Sequence, residues 1–95
     1  MSVFEQKIVE GVALIASKIS EPESFNTPLL AKHYLLAVRE VGLRLRTGEP
    51  IYCVLCGRGP FTRKGYYLHL KRIHSEDILD LVKAEAQRIS SSQKI

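Results

Sequence analysis

The feature that most constrains this chain is the spacing of its two cysteines and of two of its three histidines. They follow the pattern Cys53-x2-Cys56-x12-His69-x4-His74. Two thiolates on a tight turn and two imidazoles about one helical turn apart can face one point. Two sulfurs with two nitrogens form the tetrahedral ligand set of closed structural Zn²⁺ sites. The spacing therefore predicts one structural zinc ion bound by these four side chains, with a redox cysteine pair as the alternative.

Residues 51–74 resemble a C2H2-type zinc finger, on the strength of this ligand spacing and of Thr62, which suits an N-cap for the finger helix. The resemblance implies a two-stranded hairpin followed by a helix around one zinc ion. Pro60 stands where the family usually has an aromatic residue, with Phe61 one position later, and Tyr66 replaces the usual leucine. In size and basic charge the chain also resembles small single-finger proteins of archaea and their viruses.

Two helices are expected before the cysteines. Ser2 and Glu5 fit a capping box, and apolar residues then recur every three or four positions. Residues 20–28 break this period with two prolines and several turn formers. Thr27, followed by proline, predicts the start of a second helix, and Gly48, as a left-handed cap, predicts its end.

The second predicted helix has two apolar stripes, which indicates two packing neighbours. We expect the first helix to be one neighbour, in an antiparallel hairpin, and the C-terminal half to supply the other. One stripe contains Leu30, Tyr34, Ala37, Val41 and Leu45, and the other, on a separate part of the helix surface, contains Leu29, Leu36 and Leu43.

A further helix is predicted over residues 75–89, where apolar residues again follow a helical period. This helix can be separate from the finger helix, or the two can form one long helix that begins at about Thr62. The predicted fold is therefore mostly α with a small ββα zinc finger, packed as one domain. Its parts are an N-terminal two-helix hairpin at 1–48, the finger at 49–74, and a C-terminal helix and tail at 75–95.

Charge is concentrated in the middle of the chain. The net charge is +4 overall, but residues 44–74 carry +6, while residues 1–43 and 75–95 each carry −1. A basic block of this kind indicates a surface that binds a polyanion, and a solvated basic face without a partner is the alternative. The candidate nucleic-acid contacts are Arg44, Arg46, Arg58, Arg63, Lys64, Tyr67, Lys71 and Arg72.

Base recognition by the predicted finger helix is expected to be poor. In DNA-reading fingers the base contacts come from helix positions −1, 3 and 6, which here are Thr62, Gly65 and Leu68. These side chains lack the paired hydrogen bonds that distinguish guanine or adenine. The sequence favours a zinc-dependent DNA-binding regulator of transcription that contacts mainly phosphates. The alternative is an RNA- or ribosome-associated structural component, or a protein-interaction module, with the finger as a stable wedge.

Other classes are disfavoured. Four protein ligands leave the zinc no open position, and no acid lies between Pro50 and Glu76, so we expect no enzymatic activity and no small-molecule substrate. No apolar run approaches the length of a membrane span, and no signal peptide is recognisable, so an intracellular location, cytoplasmic or nucleoid-associated, is expected. The expected partner is nucleic acid, with DNA favoured over RNA. The apolar helices further suggest a homodimer or a larger ribonucleoprotein assembly.

Overall fold

The computed structural model describes residues 2–92. Its elements are α1 (Val3–Ala16), a short 3-10 turn (Pro22–Ser24), α2 (Lys32–Arg44), α3 (Arg63–Ile73) and α4 (Ser75–Ser92). Residues 93–95, part of the predicted tail, lie outside this range. Within residues 2–92, no helix is long and apolar enough to cross a membrane.

The start of α1 confirms the predicted capping box. The Ser2 hydroxyl accepts a hydrogen bond from the Glu5 backbone N–H at 3.1 Å, and the Glu5 carboxylate accepts from the Ser2 N–H at 3.3 Å. Two of the N–H groups that the first helical turn leaves open are thereby satisfied. From this start the helical period carries Ile8, Val12 and Ile15 onto one face, and all three are fully buried.

The relative direction of α1 and α2 differs from the prediction. Near the starts of both helices, the rings of Phe4 and Tyr34 meet edge to face with centroids 5.2 Å apart. Near their ends, a Cβ built on Gly42 would lie 2.7 Å from the Cβ of Ile15. Helices whose starts meet and whose ends meet run parallel, so the predicted antiparallel hairpin is wrong.

The predicted limits of α2 were wrong at both ends. The Thr27 hydroxyl accepts from the Leu29 N–H at 3.3 Å, but this closes only an isolated turn, and the helix begins at Lys32. The connection therefore covers residues 17–31, which is long enough to run back along α1. The helix ends at Arg44, and Gly48 is not among the glycines with positive φ, so it is not a left-handed cap.

The helix α2 packs against two neighbours, α1 and α4, as its two apolar stripes predicted. In the first stripe Ala37 and Val41 are buried, as are Leu30 and Leu45, and Tyr34 is partly buried. The second stripe is more exposed: Leu29 is 53% and Leu43 44% exposed. Val38, which belongs to neither stripe, is fully buried as well.

The two C-terminal helices are separate. His74 closes α3 with φ −115° and ψ 21°, its N–H donates to the Leu70 carbonyl, and α4 begins at Ser75. Along α4, the apolar face places Ile78 and Val82 in the core. On the same helix, the carboxylate of Glu85 is buried and accepts hydrogen bonds from two arginines, Arg44 of α2 and Arg88 of α4.

The ββα part of the predicted fold class is wrong. Within residues 2–92 no β-strand forms, and the expected hairpin is reduced to one isolated antiparallel bridge between Ile51 and Phe61. A ladder needs successive N–H donors in extended backbone, but Pro50 and Pro60 beside the bridge have none. Gly59, with φ +145°, also leaves the extended conformation. The described chain is therefore an all-helical domain with an irregular loop before α3.

Candidate metal centre

The four residues with metal-ligand spacing come together at one end of the helical core. Cys53 and Cys56 flank a turn in the loop before α3, His69 lies on α3, and His74 lies at the junction with α4. Their ligand atoms all lie within 4.8 Å of one another, and the Cys56 Sγ is 3.3 Å from the His69 Nε2. The prediction that these side chains lie close enough to share a metal ion is confirmed.

The turn between the cysteines is fixed by backbone hydrogen bonds. The Gly57 N–H donates to the Cys53 carbonyl at 2.8 Å, and the Cys53 N–H donates to the Arg58 carbonyl at 2.8 Å. Gly57 has φ +79°, a left-handed conformation that glycine adopts without steric cost. These bonds hold both sulfurs on the side of the loop that faces α3.

The two thiols lie in different environments. A hydrogen bond from the backbone of Arg58 lowers the pKa of the exposed Cys56 thiol, with further help from His74. Burial raises the pKa of the Cys53 thiol, although backbone hydrogen bonds from Leu55 and Cys56 partly oppose this effect. Backbone N–H groups thus point at both sulfurs, an arrangement that stabilises thiolates.

His74 is the most informative of the four residues. Its side chain is buried, and its Nδ1 lies 3.0 Å from the Asp77 carboxylate. The other ring nitrogen, Nε2, is buried without a hydrogen-bond partner. With Nδ1 as donor to the carboxylate, Nε2 presents a lone pair to the cluster, which is how a carboxylate orients a metal-binding histidine.

The pKa values of the two imidazoles shift in opposite directions, because the two rings have different neighbours. Burial alone would lower the pKa of His74, but the hydrogen bond to Asp77 and the nearby Cys56 sulfur outweigh it and raise the pKa. For His69, burial and the nearby charges of His74 and Arg58 lower the pKa and so favour the neutral ring. Phe61 stacks on this ring with centroids 4.7 Å apart, which fixes its orientation.

As a donor set, this cluster can hold one metal ion. Metal–sulfur and metal–nitrogen bonds of about 2.0–2.3 Å place tetrahedral donors about 3.3–3.8 Å apart. The observed limit of 4.8 Å is close to that range, and the distance of 3.3 Å between the Cys56 Sγ and the His69 Nε2 already lies in it. All four donors come from the protein.

Asp77 is the residue of the site that sequence reasoning missed. An acidic residue in the first turn of a helix is already accounted for by the helix dipole, so its position alone does not indicate a role at the metal centre. The available signal was its spacing three residues after His74, since residues three apart on a helix are neighbours. His74 ends α3 and Asp77 lies in the first turn of α4, so the carboxylate can reach back to the imidazole.

The predicted nucleic-acid contacts fall into two groups. Arg44 pairs with Glu40 and Glu85, and Arg46 donates to the Ile15 carbonyl at 2.7 Å, so both guanidiniums are engaged within the helical packing. In the second group, Tyr67 is partly buried and its hydroxyl accepts from the Lys71 ammonium at 3.1 Å. The other exposed basic residues of the loop and α3 are Arg58, Arg63, Lys64 and Arg72.

Comparisons of this chain with protein-family models, with curated proteins and with solved structures found no significant match. The functional reading therefore rests on the geometry of the metal centre and on the distribution of charge around it.

Proposed function

We propose that this chain binds one structural Zn²⁺ ion through Cys53, Cys56, His69 and His74, and that the zinc-stabilised domain binds nucleic acid. The observation that carries the metal assignment is the buried Nε2 of His74, which has no partner within a cluster of three other ligand atoms. A buried acceptor without a partner destabilises a fold, and a bound cation removes that cost.

Zinc is the ion that these donors favour. Two thiolates and two imidazoles form a soft, tetrahedral set, whereas Mg²⁺ and Ca²⁺ prefer oxygen ligands. Four protein ligands leave no position for a reactive water, so the proposed role is structural rather than catalytic. In this role the ion joins the loop before α3 to the junction between α3 and α4.

Nucleic acid is the proposed partner because of the exposed charge next to this centre. Five exposed basic side chains lie between residues 58 and 72, and no acidic residue lies between residues 50 and 75. Such groups neutralise phosphates, which dominates nonspecific affinity. The five are Arg58, Arg63, Lys64, Lys71 and Arg72. Arg44 and Arg46 are left out of the proposed surface because they pair within the fold.

Little base readout is expected from α3. The Thr62 hydroxyl accepts a hydrogen bond from the Gly65 N–H at 3.0 Å and so acts as the helix cap. Gly65 has no side chain, and Leu68 is partly buried. The proposed function is thus a DNA-binding regulator that contacts mainly the phosphate backbone.

The alternative, a structural component docked on RNA or protein, has one observation in its favour. Leu43, on α2, is 44% exposed, and Leu29, three residues before the start of this helix, is 53% exposed. Exposed leucines of this kind suit contact with another macromolecule. Failure to bind any nucleic acid, with the metal in place, would favour protein docking.

The metal proposal is tested by native mass spectrometry and zinc analysis of purified protein. We expect one zinc per chain, lost in Cys53→Ser and retained in Val54→Ala, a variant of an exposed neighbour in the same turn. A zinc-free wild-type protein that is as stable as protein supplied with zinc would contradict the proposal.

Nucleic-acid binding is tested by titrating the zinc-loaded protein with duplex DNA, single strands and structured RNA at several salt concentrations. Replacing Arg63 and Lys64 by glutamine should weaken binding on every sequence and reduce the salt slope by about two. The matched control replaces Lys7 and Lys32, which lie outside residues 58–72, by glutamine and should change the slope little. Equal slopes for the two double variants would place the binding surface elsewhere.

A further inference from the structure

Tyr52 is an exposed aromatic residue in the loop that carries the metal ligands. It is 47% exposed, whereas its neighbours Ile51 and Cys53 are 5% and 3% exposed. Val54, two residues later, is 50% exposed. The side chains of residues 52 and 54 are therefore exposed, whereas those of residues 51 and 53 are buried. Nothing in the helical packing accounts for an aromatic ring in this outward position.

The ring of Tyr52 is also supported from the loop. A Cβ added to Gly59 would lie 3.0 Å from the Tyr52 Cδ1 and 2.7 Å from the Ile51 carbonyl oxygen, closer than side chains tolerate. Only glycine allows this approach, and its φ of +145° is one that other residues rarely adopt. The loop therefore holds the ring against backbone on one side while nearly half of the side chain stays exposed.

Basic residues lie in the same loop as Tyr52 and at the start of the next helix. The Cys53 N–H donates to the Arg58 carbonyl at 2.8 Å, so the backbone of Arg58 pairs with the residue after Tyr52. Arg63 and Lys64 follow at the start of α3, where the N–H groups of the first helical turn also favour anions. An exposed ring in a basic segment of this kind matches the surfaces that bind single strands, in which bases stack and phosphates are neutralised.

We propose that Tyr52 is a stacking platform for an unpaired base, so that the loop over residues 52–59 binds single-stranded nucleic acid. This inference rests on the proposed nucleic-acid binding and names the form of the ligand. Tyr67, the aromatic residue among the predicted nucleic-acid contacts, is less suited to stacking, because it is partly buried and its hydroxyl accepts a hydrogen bond from Lys71. Stacking is tolerant of sequence, in agreement with the weak base readout expected from α3.

Fluorescence anisotropy with zinc-loaded protein tests this inference. The probes are oligothymidylate, oligouridylate and an abasic DNA strand, each about 12 nucleotides long, which is within the usual site sizes. The abasic strand keeps the phosphates and removes the bases. We expect wild-type protein to bind at least one of the two base-bearing strands more tightly than the abasic strand, and the tighter of the two identifies DNA or RNA as the polymer.

Variants then isolate the ring. Tyr52→Ala should weaken binding of the base-bearing strand roughly 5- to 100-fold and leave the abasic strand unchanged, whereas Tyr52→Phe should retain most of the affinity. Val54→Ala is the matched control on the same outward side. Zinc content and melting temperature verify that each variant is folded.

The outcomes separate the two proposals. If Tyr52→Ala binds all strands like wild type while the Arg63 and Lys64 variant is weakened, the stacking inference is wrong and phosphate binding stands. If Tyr52→Ala lowers the affinity for base-bearing and abasic strands equally, Tyr52 affects binding by supporting the structure of the loop. That result also overturns stacking. If wild-type protein binds none of the strands or duplexes, the proposed function itself fails.

Discussion

The helical core and the loop at residues 51–61 are held together in different ways. In α1, Ile8, Val12 and Ile15 are fully buried, and burial of each such side chain contributes about 1.5–3 kcal/mol. In the loop, by contrast, only Ile51 and Cys53 are buried, and one isolated bridge is its only ladder pairing among the described residues. Apolar burial is thus extensive in the first region and slight in the second.

The helix α3 belongs to both regions. Tyr66 and Leu70 are fully buried in the core, while His69, on the same helix, faces the metal centre. Tyr66 also donates a hydrogen bond to the Leu45 carbonyl at 2.7 Å, which ties α3 to the end of α2. The proposed zinc ion would therefore join a short loop with few apolar residues to a helix that the core already holds.

The largest expected effect comes from removing the proposed zinc ion. Structural zinc sites contribute on the order of 10 kcal/mol of binding free energy, and we expect that free energy to act first on the loop. After chelation, hydrogen exchange should show lost protection at the Cys53 and Phe61 amides, while α1 amides such as that of Val12 lose much less. Mass-spectrometric or NMR exchange measures both regions in one sample.

Two results would overturn this comparison. Equal loss of protection in α1 and in residues 51–61 would show that the core depends on the metal as much as the loop does. Unchanged protection in the loop would show that the loop is held by contacts other than the metal. Re-addition of zinc serves as the control and should restore protection of both loop amides.

A smaller effect is expected from filling the contact between α1 and α2. A Cβ at Gly42 would lie 2.7 Å from both the Cβ and the Cγ2 of Ile15, so Gly42→Ala should cost about 1–3 kcal/mol of unfolding free energy. Gly48→Ala is the matched control, because a Cβ there meets nothing within 4 Å. Urea denaturation of the zinc-loaded variants measures the difference. A neutral Gly42→Ala would contradict the close parallel packing of the two helices.

Local signals in the sequence predicted local structure well. The Ser2 and Glu5 capping box acts within one turn, and it is present as predicted. The cysteine and histidine spacing restricts four side chains to a common point, and their convergence is confirmed. In the capping box only two residues separate the interacting groups. In the metal centre a short turn fixes the two cysteines, and α3 fixes the spacing of the two histidines.

What failed depended on contacts far apart in the chain. Thr27 followed by proline predicts a helix start, but the helix begins only at Lys32. Leu30, in the segment between them, is instead buried against the core. That shift lengthened the connection and allowed α2 to lie parallel to α1 rather than antiparallel. The family resemblance likewise predicted strands, although Pro50 and Pro60 cannot donate to a ladder. At the metal centre, Asp77 was missed because its role depends on the bend at His74.

The smallest effect concerns the hydrogen bond that joins the two regions. Burial raises the pKa of Tyr66 from 10.0 to about 12. Tyr66→Phe should cost about 1 kcal/mol near neutral pH, because the Leu45 carbonyl loses its donor. A raised pKa in the folded state means that the unfolded chain releases this proton first. The stability that Tyr66 contributes is therefore fully present below pH 10 and is lost as the pH rises toward 12.

The comparison of Tyr66→Phe with wild type should consequently change with pH. Urea unfolding at pH 8, 10 and 11 should show wild type more stable at pH 8 and the difference shrinking at pH 11, since phenylalanine does not ionise. Both proteins are measured with zinc bound, so that titration of the ligands affects them equally. A constant difference across this range would mean that the Tyr66 hydroxyl ionises as readily in the folded protein as in the unfolded chain. In that case the link between α3 and the end of α2 is open to solvent rather than part of the core.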